Sequence, residues 1–138
     1  MTDHEMRIRL AEAMGWDDIY ESSPIPGVLR QYGTEPAGAL GYDATRRVGI
    51  EIPDPLNNDT DAARLRAWCV GRGWEVEAWG DPYHAMLGLH RIGRGEDSLY
   101  RRVTLAECRV WHEDEPDPCR RERLALCRAV CQALEVER

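Results

Sequence analysis

The sequence predicts an α+β fold, an antiparallel β-meander packed with helices, and three observations point to it. Trp74 to Trp79 alternates apolar with polar residues, turns at Gly80-Asp81-Pro82-Tyr83, and resumes as a strand from Ala85 to Ile92. Leu124, Cys127, Cys131 and Leu134 recur at spacings of three and four, the core stripe of a helix over 120–136. Two further helical patterns, near 5–14 and 60–71, precede the meander.

In the first helix Met6, Leu10, Ala13 and Met14 share a face, and Gly15 stands where a left-handed C′ residue is needed. Trp16 is expected to pack back on the helix end or enter the core. From Asp17 to Asp43 prolines and glycines break every period, so this stretch reads as a long irregular connection with a short strand at Val28 to Tyr32. Arg47 to Ile52 has period two, with Val48, Ile50 and Ile52 on one side, and is stopped by Pro53 and Pro55. Asn57 to Asp61 offers N-caps for the next helix, whose inner face carries Ala62, Leu65, Trp68 and Cys69. Gly71 and Gly73 end that helix; phosphate-cradling glycines would precede a helix instead.

Closing the hairpin on its four-residue turn pairs Trp79 with His84. Trp74 then faces Leu89, Val76 faces Leu87, and Ala78 faces Ala85, with all six apolar residues on one face. A second turn at Gly93 to Asp97 returns the chain as a strand over 98–105, putting Leu99, Val103 and Leu105 on that face too. Cys108 to Trp111 either continues this strand past a kink or forms a short separate one. His112 to Pro118 is an acidic, proline-broken loop.

Composition narrows the function. The chain has 138 residues, a hydrophobic share of 43% and a net charge of −7, the profile of one globular domain spanning 1–138. No apolar run is long enough to cross a bilayer, and the acidic start is unlike a secretory signal, so the expected compartment is the cytoplasm. All 18 basic residues are arginine, which reads as a GC-rich genome. Dispersed arginines on an acidic chain argue against duplex nucleic acid as a partner, and a membrane partner is not expected either. An odd number of cysteines without an export signal argues for reduced thiols, Cys127 and Cys131 being small core residues. Cys108, His112 and Cys119 match no zinc spacing, so neither a metal nor another cofactor is expected.

Catalytic signatures do not emerge: there is no nucleophile elbow, Walker loop or H-E-x-x-H, and Ser22, Ser23 and Ser98 sit in turns or loops. The better candidate is the meander face opposite the core, where the register gathers Glu75, Glu77, Trp79, His84, Met86, Gly88, His90, Tyr100, Arg102 and Thr104. Within it, Trp79, His84, His90, Tyr100 and Arg102 form the expected ligand-binding set. His84 would neighbour Trp79, His90 would neighbour Tyr100, and Gly88 would open a gap beside Arg102. Arg102 would hold an anionic group with its planar fork, and Trp79 or Tyr100 would supply a stacking wall. The plainer reading, a face partly covered by a helix and otherwise solvated, carries more weight.

Three stretches carry a resemblance: Leu10-Ala11-Glu12-Ala13-Met14-Gly15-Trp16, Ile52-Pro53-Asp54-Pro55-Leu56-Asn57, and the tail from Leu124 to Leu134. With a hairpin containing Trp74 to Trp79, their order resembles the phage ABA-sandwich domain family of small bacteriophage and prophage proteins. The resemblance implies an α/β/α layered sandwich and a phage or prophage origin, and brings no functional residues with it. The expected function is a non-enzymatic accessory protein in the host cytoplasm that binds a host protein or a small anionic ligand, as in countering host defence. The alternatives are a small enzyme acting through the His84/His90 face and a minor structural phage component.

Overall fold

The computed structural model describes residues 1–16, 19–21, 29–32, 49–94 and 99–137. The chain divides into two compact units, Met1–Pro53 and Asp54–Arg138.

The first unit opens with helix α1 (Asp3–Ala13). Thr2 and Glu5 form a reciprocal capping box: the Glu5 N–H donates to Thr2 Oγ1 at 3.1 Å and the Thr2 N–H to Glu5 Oε2 at 2.8 Å. At the other end Gly15 takes φ 97°, as the sequence requires. Its N–H reaches the Glu12 carbonyl, and the Trp16 N–H reaches that of Ala11, the paired bonds of a Schellman ending. This turn folds Trp16 onto Ala11 and Ile52, with Ile8, Met14 and Ile19 around them. Strands β1 (Ile19–Glu21), β2 (Leu29–Tyr32) and β3 (Gly49–Glu51) form an antiparallel sheet in that order. Arg7 ties the helix to the exit of β3, donating to the carbonyls of Ile52 (2.7 Å) and Pro53 (3.1 Å) and pairing with Glu51. β2 and β3 fall within the expected strands, while Val28, Arg47 and Val48 lie outside the described residues. β1 corrects the reading of 17–43 as one irregular connection. Three residues are too short a run to show a period, and their pairing depends on β2 later in the chain.

The second unit contains helix α2 (Asp59–Gly71), strands β4 (Trp74–Gly80), β5 (His84–Arg94) and β6 (Tyr100–Trp111), and helix α3 (Pro118–Val136). Asn58 caps α2 by accepting the Asp61 N–H at 3.0 Å, and Gly73 ends it at φ 82°. Asp117 caps α3 by accepting the N–H groups of Cys119 and Arg120, with Pro118 at the first helical position. The strands form an antiparallel sheet in the order β4-β5-β6. On one face Trp74, Ala85, Leu87, Leu89, Ala106, Cys108 and Val110 are buried, with Val76 half-buried. The α3 stripe of Leu124, Cys127, Val130 and Cys131 and the α2 residues Leu65 and Cys69 are also buried. α3 packs on β5 and β6, α2 packs on β4, and the helices touch each other, so both lie on this inner face. The α+β class, with an antiparallel meander packed with helices, is what the structure has.

The hairpin register differs from the expected one by two residues. Trp74 pairs with Arg91, Val76 with Leu89, Ala78 with Leu87, Trp79 with Met86 and Gly80 with Ala85. The strand runs on through Gly80, where a Cβ would come within 2.8 Å of the His84 carbonyl oxygen. Only Pro82 and Tyr83 remain as the loop between Asp81 and His84, whose N–H and carbonyl bond at 3.0 Å. The Asp81 carboxylate accepts the N–H groups of Tyr83 (2.7 Å) and His84 (3.0 Å), so side-chain bonding sets the tighter turn. An even slip keeps every side chain on its expected face.

The third strand corrects a second expectation. It runs unbroken to Trp111 and carries a bulge at Leu89/His90, where Leu105 is passed over between Thr104 and Ala106. Leu99 lies before the strand and is exposed, while Val103, paired with Arg91, is partly exposed. The expected loop from His112 gives way at Pro118 to α3, two residues earlier than the periodicity alone suggests.

All five cysteines lie outside any disulfide. Burial pushes the Cys69 thiol up to about 12 and raises that of Cys108, whereas Cys119 is exposed on the first turn of α3. Iodoacetamide on the folded protein at pH 8 should therefore modify Cys119 alone, and five thiols after denaturation. Mass spectrometry counts the adducts. Leu87, 1% exposed, sits at the centre of the inner face. Leu87→Ala should lower stability by about 2–4 kcal/mol in a urea titration, and Ile92→Ala, at an exposed position, by less than about 0.5 kcal/mol.

Candidate functional site

The opposite face of this sheet is built by the even-numbered residues of β5 and their partners. Starting at the turn, Asp81, His84 and Trp111 form one row, then Trp79, Met86 and Arg109, then Glu77, Gly88 and Glu107. Glu75, His90 and Thr104 follow, then Ile92 with Arg102, and Arg94 with Tyr100. All five expected ligand residues therefore share this outer face, but they do not converge. His84 and His90 are six residues apart along one strand, about 20 Å at the rise of a β-strand. Tyr100 lies opposite Arg94, not beside His90, and is 77% exposed. Ser22, Ser23 and Ser98 lie outside the described residues.

The face holds two separate groupings. The first centres on His90, 4% exposed. Gly88 does not open a gap beside Arg102; it makes room for the His90 ring. A Cβ at Gly88 would stand 2.8 Å from His90 Nε2 and 3.4 Å from Cε1. His90 Nδ1 is bonded to Thr104 Oγ1 at 3.1 Å, which fixes the ring across the strands. Its Nε2 lies 3.5 Å from a Glu77 carboxylate oxygen yet is buried with no partner in hydrogen-bonding geometry. Arg102 spans the same carboxylates, donating Nε to Glu75 at 3.2 Å and closing an ion pair with Glu77. The Arg102 hydrogen bond holds the Glu77 carboxyl below the usual range, and Glu77 in turn raises the guanidinium. Arg102 is thus engaged by Glu75 and Glu77.

The second grouping lies at the turn. Trp79 and Trp111 are 44% and 43% exposed, with Met86 and Arg109 between and beside them. Arg109 stacks over the Trp111 ring at 5.3 Å and donates to the Met86 sulfur at 3.4 Å. His84 packs at 5.3 Å against Trp111 and reaches Asp81 at 3.1 Å. Hydrogen bonds from the Tyr83 and His84 N–H groups hold the Asp81 carboxyl below its usual range. Next to this row Tyr83 and His112 meet edge-on at 5.8 Å, and the His112 N–H donates to the Tyr83 carbonyl. The result is a patch of partly exposed rings on a rigid sheet.

A buried arginine braces the patch from beneath. Arg121, 4% exposed, donates to the carbonyls of Glu115 (2.9 Å), Pro116 (3.1 Å) and Pro82 (3.5 Å). It joins α3, the acidic loop and the hairpin turn. Sequence reasoning missed Trp111, Arg109 and Arg121. The parity switch between Val103 and Ala106-Cys108-Val110 was the signal for the bulge, and hence for the face of Trp111. Arg121 falls on the Leu124 side of α3 by helical spacing, which marked it as an inward charge.

Cys108 is buried on the inner face, His112 packs on Tyr83 and Cys119 is exposed, so these three do not converge. Among the described residues no three histidine, cysteine or acidic side chains form a metal-holding group. No helix among them is long and apolar enough to cross a membrane. Comparison with protein-family models, curated proteins and solved structures finds no match to this chain.

The Gly88 notch generates a direct test. Gly88→Ala should destabilise the protein by about 1–3 kcal/mol, because the pinned imidazole cannot swing clear of the methyl group. In a His90→Ala background the same change should cost less than about 0.5 kcal/mol. Equal costs in the two backgrounds, measured by urea titration, would show that the ring does not occupy the notch.

Proposed function

We propose that this is a non-enzymatic accessory protein, of the phage or prophage kind that its resemblance implies, and that it binds a host protein through the Trp79–Trp111 end of the outer face. The observation that carries this reading is the patch itself. Trp79, Trp111, Met86 and Arg109 stand together, partly exposed, on neighbouring strands. Tryptophan and arginine are the residues that most often dominate binding hot spots, and methionine is enriched at interfaces. Large rings fixed on a sheet lose little conformational entropy on binding, which favours affinity per contact. Asp81, Glu107, Glu113 and Asp114 are exposed around this end, so the partner surface should combine an apolar centre with a basic rim. A small anionic ligand is the weaker reading, since Arg102 is engaged by two carboxylates. The enzyme alternative is weakened by the separation of His84 from His90.

The test is capture from host lysate on immobilised protein, comparing wild type with the Trp79→Ala, Trp111→Ala double variant. Loss of two hot-spot rings should weaken a captured partner by at least about 30-fold, while the melting temperature stays within about 3 °C. A partner retained equally by the double variant would place the interface elsewhere.

A further inference from the structure

The outer edge of β4 differs in its chemistry from the patch of rings. Among the described residues β4 pairs only with β5, leaving its other side without a strand. The bond between the Asp81 N–H and the His84 carbonyl fixes the phase of the ladder. Counting back by two, Trp79, Glu77 and Glu75 bond to β5, while Val76, Ala78 and Gly80 direct their N–H and carbonyl groups to the free edge. The β4–β5 register is continuous, with no bulge to twist this edge away, and β4 contains no proline. Ala78 and Gly80 are exposed, so no bulky side chain shields their backbone.

Alongside this edge the inner face is open. A cleft of about 290 Å³ lies between the two helices, with Ala78, Ala85 and Leu87 of the sheet and Ala125 of α3 lining it beside the charged Arg66 and Glu122. Edge and cleft meet at Ala78. A strand added to β4 would place every second side chain over this cleft, against Ala78 and Leu87, and the alternate ones on the outer face.

We propose that β4 accepts an extended peptide of a partner protein in which arginine or lysine alternates with aliphatic residues. Charge selects this occupant. The outer-face positions along the edge are Glu75, Glu77, Trp79 and Asp81, and Arg102 offsets only one of the three carboxylates. Basic side chains on the added strand lie opposite these acids and over the Trp79 ring. A second copy of the chain fits poorly. Two-fold pairing of β4 through Val76, Ala78 and Gly80 sets Glu77 on Glu77, Glu75 on Glu77, or a glutamate on Asp81 in each register from Val76-on-Val76 to Ala78-on-Gly80. The inference stands independently of the outer-face patch, with which it shares Trp79.

The probe is acetyl-Thr-Arg-Val-Arg-Leu-Arg-Thr-amide, with the analogue carrying glutamate for arginine as control, titrated into ¹⁵N-labelled full-length protein. The arginine peptide should slow exchange of the Val76, Ala78 and Gly80 amides by at least about tenfold and leave those of Glu75, Glu77 and Trp79 unchanged. Ala78→Pro removes one outward N–H and should abolish this binding without disturbing the β4–β5 ladder. Raising salt from about 50 to 300 mM should weaken it severalfold. Three results would each overturn the proposal: no binding up to about 1 mM, binding without protection of the three edge amides, or their protection without peptide in a concentration-dependent dimer. The wild-type amide pattern decides the matter even if the proline variant fails to fold.

Discussion

The second unit depends on one constraint, the separation of its sheet into an apolar and a polar face, which the buried stripes of α2 and α3 make worthwhile. Leu87, Leu89, Cys108 and Val110 are buried, and so are Leu124, Cys127 and Val130 of α3, which packs on their strands. Burial of apolar area supplies most of the driving force for a domain of this size. Any pairing that turned one strand over would expose that strand's inner residues, so the strands can slide by two but not by one. The tight turn, the bulge and the helix caps all work within that rule.

This explains what was legible. The faces of β4 and β5 followed from alternation and survived the two-residue difference in register, because the period is two. Which residues lie directly opposite one another did not follow, because that was decided by the Asp81 carboxylate capturing the Tyr83 and His84 amides, a local competition that hydropathy does not record. Helix ends were legible where Gly15, Asn58 and Gly73 act through backbone chemistry that their identity announces, whereas the Asp117 cap that starts α3 at Pro118 was read as loop. β1 was not legible, since three residues carry no pattern.

The candidate site was legible as a face and not as a constellation. Trp79, His84, His90, Tyr100 and Arg102 do share it, yet strands of 11 and 12 residues spread them over a length that no small ligand spans. The bulge further reassigns the residues after Leu105 and brings Arg109 and Trp111 onto the outer side. Sequence inventory treats each polar group as available. In the fold Arg102 is engaged by Glu75 and Glu77, and His90 is locked between Gly88 and Thr104, so neither stands open as the inventory supposed. The rings at the turn end are partly open.

Arg121 has a consequence for how this structure opens. Its guanidinium serves the hairpin turn at Pro82, the loop at Glu115 and Pro116, and its own place at the start of α3. A buried cation that loses one of these acceptors without reaching water is left uncompensated, so the three segments cannot fray one at a time. The turn that would be the most mobile point of an isolated hairpin is thus tied to the start of α3. The exposed rings of Tyr83 and Trp111, and His84 between them, sit at this anchored tip.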